Sequence, residues 1–580
     1  MKRKYCCSID SVFKIILFLF LFTSVVSCNS GKSGAEAYKH MGISMPENAS
    51  PLLKNMVLAF TSRIAKQSEC KVSTGDAPFV VRLTLKSEME DEAFSIEDIE
   101  SDIIEISAKN DIGLMYGMGK MLHTSKFENG AFIPGTWRGY SSPVCKVRGI
   151  YMACHFNNFY EVAPVDEINA YIEDLAFAGM NTIIFNFPQW QYDSFDDTLA
   201  RKNLERIKLL IRSSKNIGLK AGMLECENQG FKTAPANTRF VKYPDDLGRR
   251  GYLGVSLCAS KKQGVDYLMN FWNKFLDEFN ETGLDYLVFW PYDEGGCGCR
   301  QCWPWGAKGH VSISAKIMEL AHTRWPECKS ILSTWMYDTP EAGEWEGLYK
   351  ALKNDSSLFD CIMADAHEDF PRYPLENKMP DNRPILNFPE ISMWGLWPWG
   401  GYGASPLPAR FHALWNQLEG KADGGFPYSE GIYEDFNKYM CLRLYWQPDL
   451  SAQAICDEYV AAYFSPNVVE KVSKAIQLME KTHNRNVTAD GKNVNIHNAA
   501  DSVQLIFDLI KQADGMLNTV VRESWRWRII YLRAQIDDIL IQKKGRIEGE
   551  ELRKAFNELI EIYHSQTNHT SKIGPPDFVR

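Results

Sequence analysis

The chain has 580 residues, of which 45% are hydrophobic and 24% charged, and carries a formal net charge of −9. That length exceeds one core of ordinary size, and the composition is that of a globular chain rather than a disordered one. An acidic body without a basic stripe argues against nucleic acid as a partner.

Lys2, Arg3 and Lys4 open the chain, and the apolar run Ile15–Phe22 follows. Val25-Val26-Ser27 then leads into Cys28, a pattern that resembles a bacterial lipobox. It implies cleavage of a leader over residues 1–27 and lipidation of the Cys28 thiol. The protein would then be exported and lipid-anchored to the cell envelope, on the periplasmic or surface face of an outer membrane. The alternatives are an ordinary signal peptide or a single anchor, but the run is short for a spanning helix. Residues 28–34 have the composition of a flexible tether.

Residues 35–133 read as a small α/β domain. Leu52 to Lys66 has helical spacing of apolar residues. Val80 to Leu85 and Ile103 to Lys109 read as strands, and a helix follows the Asn110-Asp111 turn. A Gly- and Pro-containing linker spans Pro134 to Pro143. Over residues 144–445 short apolar strands alternate with amphipathic helices. The strands begin at Val147, Asn181, Leu219, Asp285, Ser330, Phe359, Pro384 and Ala422. Eight strand-helix units predict a (β/α)₈ TIM barrel in preference to an open doubly wound sheet. Residues 446–580 carry only helical spacing and predict a C-terminal all-α domain.

In such barrels the reacting groups sit at the C-terminal strand ends. Reading those ends gives His155 after strand one, Asn186 after strand two and Glu225 on strand three. Trp335 and Tyr337 follow strand five, and Asp365 and His367 end strand six. Glu390, Trp394 and Trp397 follow strand seven, and Tyr428 and Glu430 strand eight. A ring of acids, amides and indoles suits a sugar. A carboxylic acid must protonate the leaving oxygen, a polar group must stabilise the oxocarbenium-like transition state, and flat rings hold sugar faces. Strand four ends in Asp293-Glu294, followed by Gly295-Gly296. Adjacent residues of an extended chain point to opposite sides, so both acids can face one substrate only if the chain bends. Glycines permit that bend.

The segment Asp102–Ser125 resembles the N-terminal domain of β-N-acetylhexosaminidases of glycoside hydrolase family 20, and Val147–Tyr160 resembles the first strand of their barrels. The Asp293-Glu294 pair matches the Asp-Glu pair that ends strand four in that family. The resemblance implies Glu294 as general acid and Asp293 as positioner of a substrate acetamide, whose oxygen is the nucleophile. It places Trp335 and Trp394 or Trp397 loosely around that acetamide. Two departures stand out: the glycines follow the acidic pair instead of preceding it, and Cys154-His155-Phe156 replaces the family's Arg-His-Phe. The Cys297-x-Cys299-x-x-Cys302 cluster also resembles relatives of family 163 endo-β-N-acetylglucosaminidases. In an ordinary retaining pair, Glu390 or Glu430 would supply the second carboxylate.

The cysteine cluster has three readings: a structural metal completed by a ligand from elsewhere, a disulfide, or packed free thiols. No catalytic metal and no cofactor is expected, since no HExxH-like pair accompanies the acids. The sequence thus predicts a hydrolase of β-linked sugars, N-acetylated or not. A non-catalytic glycan-binding lipoprotein is the second reading. A metal-dependent amidohydrolase is the third, weakened by the lack of paired histidine motifs.

Overall fold

A computed structural model of the chain describes residues 36–244, 255–292, 295–338, 343–391, 403–418, 420–482, 493 and 500–567. A six-stranded sheet comes first, in the order Lys71–Thr74, His40–Ser44, Val80–Leu85, Ile103–Ala108, Phe94–Glu100, Gly139–Ser141. The first four strands are mutually parallel and the last two join antiparallel. The stretch expected as a linker therefore holds the edge strand Gly139–Ser141, which completes the sheet beside Phe94–Ile96. Helices Pro51–Gln67 and Asp111–Thr124 are capped by Ser50 and Asn110, whose side chains accept from Leu53 and Gly113 N–H. Gly119 allows the second helix to press on the first barrel helix: a Cβ there would lie 2.2 Å from the Phe177 carbonyl oxygen.

The barrel strands are Val147–Met152, Thr182–Phe185, Lys220–Glu225, Tyr286–Phe289, Lys329–Ser333, Cys361–Ala366, Ile385–Pro389 and Gly424–Gly425. Each pairs parallel with the next, and the eighth pairs with the first, which closes the barrel. Strand eight breaks after Gly425 and resumes as Tyr428–Ser429 beside Tyr151–Met152. The helices between strands bury the stripes read from the sequence. In Val165–Phe177 these are Ile168, Ile172 and Leu175, and in Thr198–Asn216 Leu204, Ile207 and Ile211. Helices Ala452–Tyr463, Val469–Lys481, Ala500–Asp514, Trp525–Gln542 and Glu550–Ile562 complete the described chain. Among the described residues no helix is long and apolar enough to cross a membrane; Cys28 lies outside them.

One side chain ties distant segments together. Asp174, on the first barrel helix, receives Arg63 Nε at 2.7 Å and Arg526 Nη1 at 2.8 Å. Arg526 also donates from Nε to Asp435, at 2.8 Å. Burial alone would raise the Asp174 carboxyl, but Arg526 and Arg63 outweigh it and hold the group below the usual aspartate range. At the opposite end of the strands from the mouth, fully buried Arg148 donates to the carbonyls of Gly179 and Cys145 and to Tyr116 Oη.

Candidate active site at the barrel mouth

The C-terminal strand ends converge on a mouth lined by acids and rings. His155 follows strand one in a turn where Phe156 and Asn157 both take left-handed backbone, with φ 61° and 57°. Each such residue costs about 1–2 kcal/mol, so the surrounding contacts hold this turn against its local preference. Its product is the placement of His155 Nε2 2.7 Å from Tyr428 Oη. The Tyr428 hydroxyl donates in turn to Glu430 Oε1, at 2.6 Å. A three-residue chain, His155–Tyr428–Glu430, thus spans the seam between strands one and eight. Burial, then the charges of Glu430 and Glu390, push the Tyr428 phenol well above its ordinary value and keep it a neutral donor.

Glu390 ends strand seven beside Tyr428, to which it is bridged in parallel, and its Oε2 lies 4.0 Å from His367 Nδ1. Asp365, on strand six, accepts from His367 N–H at 2.9 Å. Burial outweighs its hydrogen bonds from the His367 and Met336 backbone and raises its carboxyl to about 7. A carboxylic acid that still carries its proton near neutral pH can donate it.

The ring faces come from three strand ends. Trp290 stacks on Trp335 with centroids 5.0 Å apart, and Phe388 lies 4.9 Å from Trp290. His367 stands edge-on to Trp335 at 5.5 Å. Trp335 is 8% exposed, and its indole N–H has no acceptor among the described residues. A buried donor with no acceptor among the described residues is placed to meet an incoming oxygen.

Other residues read as substrate contacts also make hydrogen bonds within the scaffold. Asn186 Oδ1 accepts from Cys154 N–H at 2.6 Å, and Glu225 Oε1 from Phe187 N–H at 2.6 Å, which joins the tops of neighbouring strands. Tyr337 is buried and donates to the Gly306 carbonyl at 2.6 Å. Asp293, Glu294, Trp394 and Trp397 lie outside the described residues. The two sides of the acidic pair are held firmly. Tyr292 Oη donates to Glu344. Asn228 accepts from Gly296 N–H at 2.8 Å and donates to Gly296 O at 3.0 Å. Gly296 has φ +108°, and a Cβ there would meet Tyr243 Oη at 2.0 Å, so the position admits glycine alone.

Three features escaped the sequence reading. The clamp of Asn228 on Gly296 depends on a contact 68 residues away. His310 and Glu227 form a fully buried pair at 2.7 Å, with the second imidazole nitrogen 3.2 Å from the Ser333 carbonyl oxygen. Cys258, from the loop after strand three, joins the three cysteines after strand four. Every described cysteine is a free thiol, so no disulfide stiffens that loop.

The same architecture occurs in solved structures of other proteins. The chain is similar to a family 115 4-O-methyl-α-glucuronidase with specificity for decorated arabinogalactans (TM-score 0.62, 12% identity, 93% of this chain and 78% of that one). It is also similar to a family 89 glycoside hydrolase from Clostridium perfringens (TM-score 0.60, 11% identity, 89% and 65%). A family 20 exo-β-N-acetylglucosaminidase from Vibrio harveyi gives TM-score 0.49 at 10% identity over 74% and 75%. The structural neighbours are thus glycoside hydrolases, and at these identities the likeness is one of fold. No protein-family profile matches the chain, and no curated protein matches it in sequence.

Proposed function

We propose that the chain is a glycoside hydrolase acting on a β-linked, N-acetylated sugar within a glycan. The observation that carries this reading is the mouth itself. Glu390, Glu430 and Asp365 stand around it with the Trp290–Trp335 stack and the Trp335 N–H, which has no acceptor among the described residues. Acids serve proton transfer and charge stabilisation, and the indole pair offers a flat apolar face to a pyranose. Glu294 is the general acid in this reading and Asp293 orients the acetamide. The family resemblance of the strand-four end supports both roles, as does the firm hold on Tyr292 and Gly296 at either side. The protein is exported and anchored through Cys28, as the leader pattern supports.

One observation favours a second reading of the chemistry. Glu390 and Glu430 leave neighbouring strands and the charges of both act on Tyr428, which brings two carboxylates to one side of the mouth, where a protein nucleophile would have to stand. A panel of aryl glycosides and glycans separates the readings. Glu294→Gln is expected to lower kcat/KM by at least about 100-fold. Replacing the 2-acetamido group of a cleaved substrate by hydroxyl should abolish turnover. If the hydroxyl analogue is cleaved well and Glu390→Gln or Glu430→Gln abolishes turnover instead, the protein nucleophile is correct. Absence of cleavage across the panel, with glycan binding retained, would replace both by a binding protein.

A further inference from the structure

The loop after strand four carries Cys297, Cys299 and Cys302, and Cys258 reaches them from another part of the chain. The short strand Val255–Ser256 pairs antiparallel with Gln229–Gly230 and delivers Cys258 to the cluster. One Sγ from each of the four residues lies within 4.8 Å of the other three. Cys258 Sγ and Cys299 Sγ are 3.7 Å apart. Four thiolates around a tetrahedral ion with metal–sulfur bonds of about 2.3 Å stand about 3.8 Å from one another. Disulfide sulfurs lie at about 2.05 Å. The observed separation is that of ligands sharing one ion.

The surroundings fit thiolates. Val241 N–H donates to Cys297 Sγ at 3.4 Å, and the N–H groups of Gln301 and Cys302 face Cys299 Sγ. Ser260 Oγ lies 3.2 Å from both Cys258 Sγ and Cys299 Sγ. Cys258, Cys297 and Cys302 are buried, and Cys299 is half-buried. A set of four soft sulfur donors this close together selects zinc over the oxygen-seeking magnesium and calcium.

We propose that Cys258, Cys297, Cys299 and Cys302 bind one zinc ion in a structural tetrathiolate site. Each thiol gives its proton to solvent, and no oxidant or reductant takes part. Four protein ligands leave no open position for a water or a substrate, so the ion holds structure and does no chemistry. What it holds follows from chain order. Cys297 comes directly after Gly296, the residue clamped by Asn228, so the ion fastens the segment that leaves strand four to the loop that leaves strand three.

The test uses the full chain purified without chelator and without affinity metal. Elemental analysis is expected to give about one zinc per chain. After removal of zinc with chelator and reductant, cobalt(II) should restore the site with the visible bands of a tetrahedral thiolate complex. The Cys299→Ser variant should retain less than about a tenth of the zinc, and Cys328→Ser, which alters a buried thiol outside the cluster, should retain it all. Should Cys299→Ser fail to fold, the cobalt spectrum of the reduced wild type still decides. The proposal is overturned if the reduced wild type takes up neither zinc nor cobalt, if mass analysis finds disulfides among the four residues, or if the bound metal is iron. None of these readouts depends on glycoside cleavage.

Discussion

Asp174 at the helix junction and Asp365 at the barrel mouth have both lost water, and they answer in opposite directions. Asp174 is met by two guanidinium groups, and its carboxyl is held below the usual range. Asp365 is met by two backbone N–H groups, which do not offset burial, and its carboxyl rises to about 7. The first is committed to charge and to structure. The second holds its proton about half the time at neutral pH, where keeping it costs the fold some stability. The comparison teaches how one chain separates joints from chemistry: by whether a cation is supplied along with the desolvation.

The largest expected effect comes from breaking the joint. Asp174→Asn removes the carboxylate that Arg63 and Arg526 share, leaving them Glu173 and Asp435 as partners, and should cost about 3 kcal/mol in urea unfolding at pH 7 through the two charged hydrogen bonds lost. The sign fixes its pH course. A carboxyl whose folded value is depressed contributes fully above its unfolded value, near 4, and less as pH falls through the folded value. The gap between wild type and variant should therefore close in acid, and a gap that persists unchanged at pH 2 would show the loss to be one of packing.

Asp365→Asn sharpens the other side. A raised carboxyl makes the native state bind more protons than the unfolded state between about 4 and 7, so wild-type stability declines as pH rises through that window. The variant should lack this decline and be the more stable protein above pH 7. Equal slopes for the two proteins would mean that Asp365 titrates normally.

Tyr428→Phe cuts the His155–Tyr428–Glu430 chain and should cost about 2 kcal/mol, as hydrogen bonds to charged groups do. If thermal unfolding is unchanged, the chain contributes nothing to the fold. The smallest effect is at Trp335. Trp335→Phe removes a donor that has no acceptor among the described residues, so stability should move by less than about 1 kcal/mol, whereas KM for a cleaved glycoside should rise about 2- to 10-fold. A variant with unaltered KM would place the indole N–H away from the ligand.

The sequence carried a good share of this. Seven of the eight barrel strands have clear apolar runs bounded by turns, the eighth being the pair Gly424–Gly425, and the strand-end rule points to His155, Glu390, Tyr428 and Glu430, which the fold does gather. The strands His40–Ser44 and Phe94–Glu100 were not legible. The first is five residues long with Gly and Ser in it, and the second ends in an acidic half that faces water. Nor could strand-end position show that Asn186 and Glu225 each accept a hydrogen bond from a neighbouring strand top. That depends on which backbone N–H each side chain meets. Cys258 was invisible for a third reason: a ligand 39 positions before Cys297 has no fixed spacing to be read.

The barrel closes on its shortest strand. Gly424–Gly425 supplies two paired residues, and beyond it the seam with strand one rests on Tyr151 N–H to the Pro427 carbonyl at 3.1 Å and Ala153 N–H to the Ser429 carbonyl at 3.0 Å. The His155–Tyr428–Glu430 chain lies across that same join. A molecule seated between His155 and Glu430 would therefore act as a rivet. Amide deuteration at Tyr151 and Ala153 should slow when the mouth is filled, which makes the closure of the cylinder a reporter of its own occupancy.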